Sequence, residues 1–305
     1  LIPSSLAPSA QRSVELTDTP FFPQREMQCG PASLAMVLNA SGVATTPDEL
    51  TPLVFIPARR GSLQVELQAA PRKFSRLAYV IEPDLDAILE ELAAGRPVLV
   101  LHNYGLPFLP RWHYAVVVGY DAERDSIVMR SGTTRRQVLS AANFMRAWDN
   151  GDRWAIVILR PGELPVRASA ARYLETAAAF QRVASPSDAA MAFEAAIDRW
   201  PEEPVAWIGR GTARYRSGEL RAAASDYFAA LKADATHIGA RNNLAMVLVE
   251  LGCVKEARRH MERIGPLDPG SALSTAVQDT RERIEKAAAS PVADHSGATC
   301  ASFVD

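Results

Sequence analysis

A cysteine and a histidine, the pair that can together attack an acyl carbon, open two segments of opposite character in this chain. Cys29 leads the run Cys29-Gly30-Pro31-Ala32-Ser33-Leu34-Ala35-Met36-Val37-Leu38. Pro31 is tolerated in a first helical turn, because the N–H it lacks would have no partner there. The residues that follow are helix formers or apolar, with Leu34, Val37 and Leu38 on one face. Cys29 is therefore placed at a helix N-terminus, where free N–H groups and a partial positive charge stabilise a thiolate and lower the thiol's pKa. The same N–H groups can face an oxyanion as it forms on an acyl substrate. His113 leads His113-Tyr114-Ala115-Val116-Val117-Val118-Gly119-Tyr120, a β-branched run of strand type. An imidazole so placed can take the thiol proton, giving a thiolate–imidazolium pair, and later protonate a leaving amine.

The elements that must position this pair follow in chain order. After the Cys29 helix, Gly42 is a plausible cap, and Thr46-Pro47-Asp48-Glu49 reads as a second helix start. Residues 53–60 read as loop, 63–70 as helix, 77–81 as strand and 84–94 as an amphipathic helix. Val98-Leu99-Val100-Leu101 is a fully apolar central strand, and residues 103–112 form a Pro-rich loop. The histidine strand turns at 121–125 into a hairpin partner, 126–130, which Gly132-Thr133-Thr134 closes. A helix over 140–148 and a strand over 154–159 complete the half, and Pro161-Gly162 ends it. Helices first and a largely antiparallel sheet afterwards give an α+β class.

The second half is alanine-rich and repeats at an offset of 34, the tetratricopeptide period. Gly218 matches Gly252, Ala223 matches both Ala189 and Ala257, and Tyr227 matches Phe193. Trp207 and Tyr173 stand one repeat apart. Three helix pairs are expected, over 170–200, 204–234 and 238–265. The domain plan is a linker over 1–19, a cysteine peptidase-like domain over 20–162, a tetratricopeptide-repeat domain over 168–286, and a tail over 287–305 too rich in Ala, Ser and Gly to be ordered.

At 305 residues with a formal charge of −2, the chain is an ordinary globular length for two domains. Nothing in its charge argues for nucleic acid, and no apolar run approaches the ~18 residues of a transmembrane span. Cys29, Cys253 and Cys300 are odd in number and widely spaced, so neither a disulfide framework nor a metal-ligand set is expected, and no cofactor is called for.

Gln24 and Gln28-Cys29-Gly30-Pro31-Ala32, taken with His113-Tyr114-Ala115-Val116-Val117-Val118-Gly119-Tyr120-Asp121, resemble the papain-like cysteine peptidases that process bacteriocin leader peptides. The chain is similar in particular to their stand-alone relatives of bacterial envelopes, which carry tetratricopeptide repeats after the peptidase domain. The resemblance implies Cys29 as nucleophile, His113 as base and acid, and Gln24 as a side-chain donor to the oxyanion hole. The family usually places that glutamine six residues before the cysteine; here it is five. Family members usually carry Asp or Asn after the histidine hairpin to orient the imidazole. Here that position falls on Ser131, with Asn103, His102, Asp121 and Asp125 as other candidates.

The function implied is cleavage of a peptide or protein substrate, after small residues such as Gly-Gly, with the repeats binding a protein partner. The alternative is a catalytically silent adaptor working through its repeats; a Cys-His acyl transferase would need the same pair. The Pro/Ser/Ala-rich residues 1–19 fit the linker after an export signal or a lipid-anchor cysteine. The expected location is a bacterial cell envelope, in the periplasm, with a lipid anchor as one mode of attachment.

Overall fold

The computed structural model describes residues 12–106, 108–289 and 300–303, and the chain divides into two compact units, Leu1–Thr176 and Ala177–Asp305. The first unit is built on a seven-stranded antiparallel sheet. In chain order its elements are β1 (Ser13–Glu15), α1 (Cys29–Ala40), α2 (Pro47–Val54), α3 (Gln64–Ala69), β2 (Leu77–Val80), α4 (Leu85–Ala93), β3 (Val98–Asn103), β4 (Trp112–Asp121), β5 (Ser126–Ser131), β6 (Thr134–Ser140), α5 (Ala141–Asp149) and β7 (Ala155–Leu159). The strands run in the order β2-β7-β3-β4-β5-β6, with β1 on β4.

α1 is buried along its length from Gly30 to Leu38 rather than on one face. It packs with α2, Leu67 and the sheet residues Leu99, Leu101, Tyr114, Val116 and Val118. A helix apolar all round belongs in the middle of a core, and this one carries Cys29 at its front. α2 begins as the sequence dictates: Thr46 and Glu49 form a reciprocal capping box with Pro47 in the first turn.

Two strands escape the sequence reading. β1 lies within the stretch read as linker; residues 1–11 of that stretch lie outside the described residues. It takes over the edge of β4 at Gly119–Asp121, beyond the reach of β3, which pairs Trp112–Val117. Gly119 permits this, since a Cβ there would come within 2.4 Å of the Val14 carbonyl oxygen. Three residues carry too little alternation to be recognised alone. β6 continues past the turn that was expected to end the hairpin, after Gly132 at φ +58. It is a polar, largely exposed strand at the end of the sheet order, so it lacks the apolar signal of a core strand.

The helical elements beyond β7 are α6 (Ala170–Gln181), α7 (Pro186–Arg199), α8 (Pro204–Arg216), α9 (Leu220–Ala233), α10 (Ile238–Glu250), α11 (Val254–Glu262) and α12 (Ala272–Ala288). They form three helix pairs at the tetratricopeptide period and a final helix. Small residues at the close approaches are obligatory: a Cβ on Gly209 would sit 2.3 Å from the Phe193 ring. The division between units falls inside α6, later than the 162–168 junction expected. The start of α6 is held by the first unit: Ser169 N–H donates to Tyr79 Oη at 3.2 Å and Arg172 pairs with Glu82 at 2.8 Å.

The reading of the cysteines and of the tail needs correcting. Cys253 and Cys300 form a disulfide, leaving Cys29 as the free cysteine. Ala287 and Ala288 complete α12, and Cys300 and Phe303 are buried against α9 and α11. The Phe303 carbonyl lies 2.8 Å from His260 Nε2, and the Phe303 ring meets Phe228 edge-on. Composition alone suggested disorder because a cross-link between distant cysteines leaves no local pattern. Residues 290–299 of the tail lie outside the described residues.

Candidate active site

Cys29 is the first residue of α1, and the helix lacks a side-chain cap at Gln28. Its first-turn amides are therefore open at the end that carries the thiol. The chain reaches this point through Met27, held in the left-handed region at φ +63. A residue with a Cβ rarely adopts that conformation, and here it turns the backbone sharply into the helix.

Cys29 and His113 are walls of one cavity of about 860 Å³, shared with Gln24, Ser62, Trp112 and Tyr114. The backbone amides of Tyr114, Gly30 and Cys29 bear on the sulfur, so the thiol sits beside the residue next to His113. His113 Nε2 lies 2.9 Å from Ser131 Oγ, at the end of β5. With Nε2 engaged there, Nδ1 is the nitrogen left for proton exchange with the cavity.

The electrostatics run against a preformed ion pair. Burial pushes the Cys29 thiol above its ordinary value, outweighing the amides that pull it down. Burial also pushes the His113 imidazole below its ordinary value. Both shifts favour neutral partners. Desolvation thus works against the thiolate–imidazolium pair expected from the helix terminus. A neutral thiol can still react if the imidazole takes its proton as the sulfur attacks.

Gln24 lines the cavity, but its side-chain nitrogen already donates to the Tyr114 carbonyl at 3.2 Å and to Ser33 Oγ at 3.3 Å. Its backbone is fixed by a 3.0 Å bond to the Gly132 carbonyl. In this arrangement the amides at the front of α1 are better placed to receive an oxyanion than the Gln24 side chain. Gln28 is not among the cavity walls.

The other candidates for the third position are occupied elsewhere. Asn103 Oδ1 accepts from Gly105 N–H and Arg111 N–H, closing the loop between β3 and β4. Asp121 accepts from Glu123 and Arg124 in the hairpin turn, and Asp125 lies in that same turn with φ +48. His102 is fully buried and bonds Tyr104 Oη through Nδ1 at 2.8 Å.

Three contributors were missed in the sequence. Ser33 is fully buried inside α1 and receives the Gln24 amide; a hydroxyl in an otherwise apolar helix was its available signal. Ser62 packs against Gly30, where a Cβ would meet its oxygen at 2.3 Å. Arg130, also buried, donates to the Thr17 and Thr19 carbonyls and so fixes the approach to Gln24. Neither of the last two leaves a pattern in the linear chain.

A buried helix fronted by a cysteine and an antiparallel strand carrying a histidine thus contribute to the walls of one cavity. Residues 16–155 match the model of the Peptidase_C39 like family, so the N-terminal part of the chain is a cysteine peptidase-like domain. The chain is also similar to a peroxisomal targeting signal receptor of Candida albicans, 31% identical over 101 residues, which is 30% of this chain and 17% of that relative. The chain thus spans under a fifth of that protein's length.

Among solved structures it is similar to a Bacillus anthracis protein described as a C39-like peptidase (18% identity, TM-score 0.41, 48% of this chain and 98% of the other). It is also similar to the peptidase domain of Streptococcus ComA, a bifunctional ABC transporter (20%, 0.37, 47% and 98%). The third is the first TPR of Spaghetti bound to an HSP90 peptide (23%, 0.36, 40% and 96%).

Proposed function

We propose that the first unit is a cysteine peptidase in which Cys29 attacks a peptide carbonyl and His113 takes the thiol proton on Nδ1. The observation that carries this is the 2.9 Å contact between His113 Nε2 and Ser131, which leaves the opposite nitrogen for the cavity shared with Cys29. The α1 amides stabilise the oxyanion, His113 returns its proton to the departing amine, and water then releases the acyl group from the sulfur. Ser131 engages Nε2 without bringing a charge to balance an imidazolium, so a slower enzyme than one with a carboxylate there is expected.

The substrate is a peptide or protein. Cleavage after small residues such as Gly-Gly is proposed from the family relation, and the helical unit is proposed to bind a protein segment. The Cys253–Cys300 disulfide supports export to an oxidising compartment such as the bacterial cell envelope; a lipid anchor is part of the same proposal.

The test is Cys29 alkylation by iodoacetamide against pH in the parent and in His113→Ala, alongside cleavage of a Gly-Gly peptide library controlled by Cys29→Ala. Catalysis predicts His113-dependent alkylation near neutral pH and cleavage lost with Cys29. The raised thiol pKa and the engaged Gln24 amide favour a second reading, a silent domain beside a working repeat array. Alkylation unaffected by His113→Ala, with no cleavage, would select it.

A further inference from the structure

We propose that Tyr104, tethered by His102, is a positioning residue that holds the His113 imidazole on Ser131 and shields that contact from water. The inference rests on the peptidase reading and concerns how its base is kept in place when position 131 lacks a carboxylate. A serine hydroxyl can donate to or accept from an imidazole nitrogen, so Ser131 by itself fixes neither the tautomer nor the ring plane. A carboxylate would do both.

Tyr104 stands where a second constraint is needed. Its ring lies 5.9 Å from the His113 ring at a 43° tilt. Together with His113, Ser131 and Arg111 it walls a cleft of about 390 Å³ that does not include Cys29. Solvent in that cleft would compete for the Ser131–His113 hydrogen bond, and Tyr104 is one of the side chains that narrows it.

Tyr104 begins the Pro-rich loop, yet it does not swing freely. Its N–H donates to the Arg111 carbonyl at 3.1 Å, and its hydroxyl is 2.8 Å from His102 Nδ1. His102 is the register partner of His113 across β3 and β4 and also meets Phe144 edge-on. A fully buried histidine whose Nε2 has no hydrogen-bond partner among the described residues is costly to keep. Anchoring the tyrosine gives that burial a role. Its pKa, driven down to about 3 mainly by desolvation, keeps the ring neutral, so no cation stands beside an imidazolium at His113.

The groups that share a cavity wall with His113, contact it or pair with it across strands include Cys29 from α1, His102 from β3, Tyr104 and Arg111 from the following loop, and Ser131 from β5. The charged walls of the cavity shared with Cys29 are Arg25, Glu26, Arg59, Arg60 and Asp152. None of these is altered by removing a single hydroxyl at position 104.

The test uses the full chain as the parent, Tyr104→Phe and His102→Leu. Two quantities are read: the pH profile of Cys29 alkylation, and the tautomer and titration midpoint of His113 in long-range ¹H–¹⁵N spectra, assigned by His113→Gln. Loss of the tether should slow alkylation about tenfold. It should also move the His113 midpoint up toward its ordinary value as water reaches the ring, with the same change in both variants. Overlaid midpoints and tautomer ratios in Tyr104→Phe and the parent would overturn the proposal. If His113→Ala leaves alkylation unchanged, the peptidase reading fails by itself, and the His113 spectra still decide the role of Tyr104.

Discussion

The two units differ in how many buried polar groups they leave without a partner. In the helical unit Asp226, almost wholly buried on α9, is closed in by Arg210 at 2.7 Å and Arg214 at 3.0 Å, with Glu194 completing the network at 3.1 Å. In the first unit Ser62 Oγ, Glu66 Oε2, His102 Nε2 and Trp154 Nε1 are all buried without a hydrogen-bond partner among the described residues. Ser62 is a wall of the cavity, His102 pairs across strands with His113, and Trp154 meets Tyr114 edge-on. In the helical unit, among the described residues, Asn242 Oδ1 alone is left in that state, since stacked helices satisfy most buried groups between neighbours. The first unit, by contrast, leaves several such groups at and around its cavity, where departures from full satisfaction accompany functional sites.

The sharpest way to break the contrast is Asp226→Ala. It leaves two arginines facing each other in the helical unit and should destabilise that unit by about 3 kcal/mol or more. Hydrogen exchange in α8 and α9 reads the loss, while Cys29 alkylation stays at the parent rate. Cys300→Ser acts in the same unit by opening the 47-residue link. A loss of about 2–4 kcal/mol is expected, measured by denaturant titration, with reduction of the parent giving the same shift.

Acid separates the units from the other side. His102 is driven to about 3 and His113 is lowered, both chiefly by burial. Their folded pKa values lie below the unfolded ones, so the unfolded chain binds more protons and the stabilisation is present above pH 6.5. It is lost as pH falls from 6.5 toward 3, by about 1.4 kcal/mol per pH unit for a group like His102. Denaturant titrations of the parent and His102→Leu at several pH values should show the slope in the first unit and its reduction in the variant. The smallest effect is a gain: Ser131→Asp should raise the His113 pKa and speed Cys29 alkylation at neutral pH about tenfold. An unchanged rate would remove position 131 from the proton path.

Much of this was readable from the chain because the signals are local. The Thr46 and Glu49 capping box, the apolar run of β3 and the 34-residue spacing of Gly218 and Gly252 each need only a short window or a fixed period. The helix that Cys29 leads and the strand that carries His113 were legible in the same way. What escaped was set by distance. β1 exists because Gly119 admits it, the tail is placed by a bond from Cys300 to Cys253, and the tie between Gln24 and Ser33 needs the packed front of α1.

Residue types and their order determined that a thiol would lead a helix, that an imidazole would open a strand, and that helix pairs would follow at a fixed period. Periodicity and capping are properties of neighbours along the chain. Only the tertiary structure decided the direction in which the two groups are shifted, because desolvation of Cys29 and His113 depends on what surrounds them and, at Cys29, outweighs the helix terminus. It also decided that Ser131, rather than Asn103 or Asp121, meets the imidazole, since that contact follows from strand register.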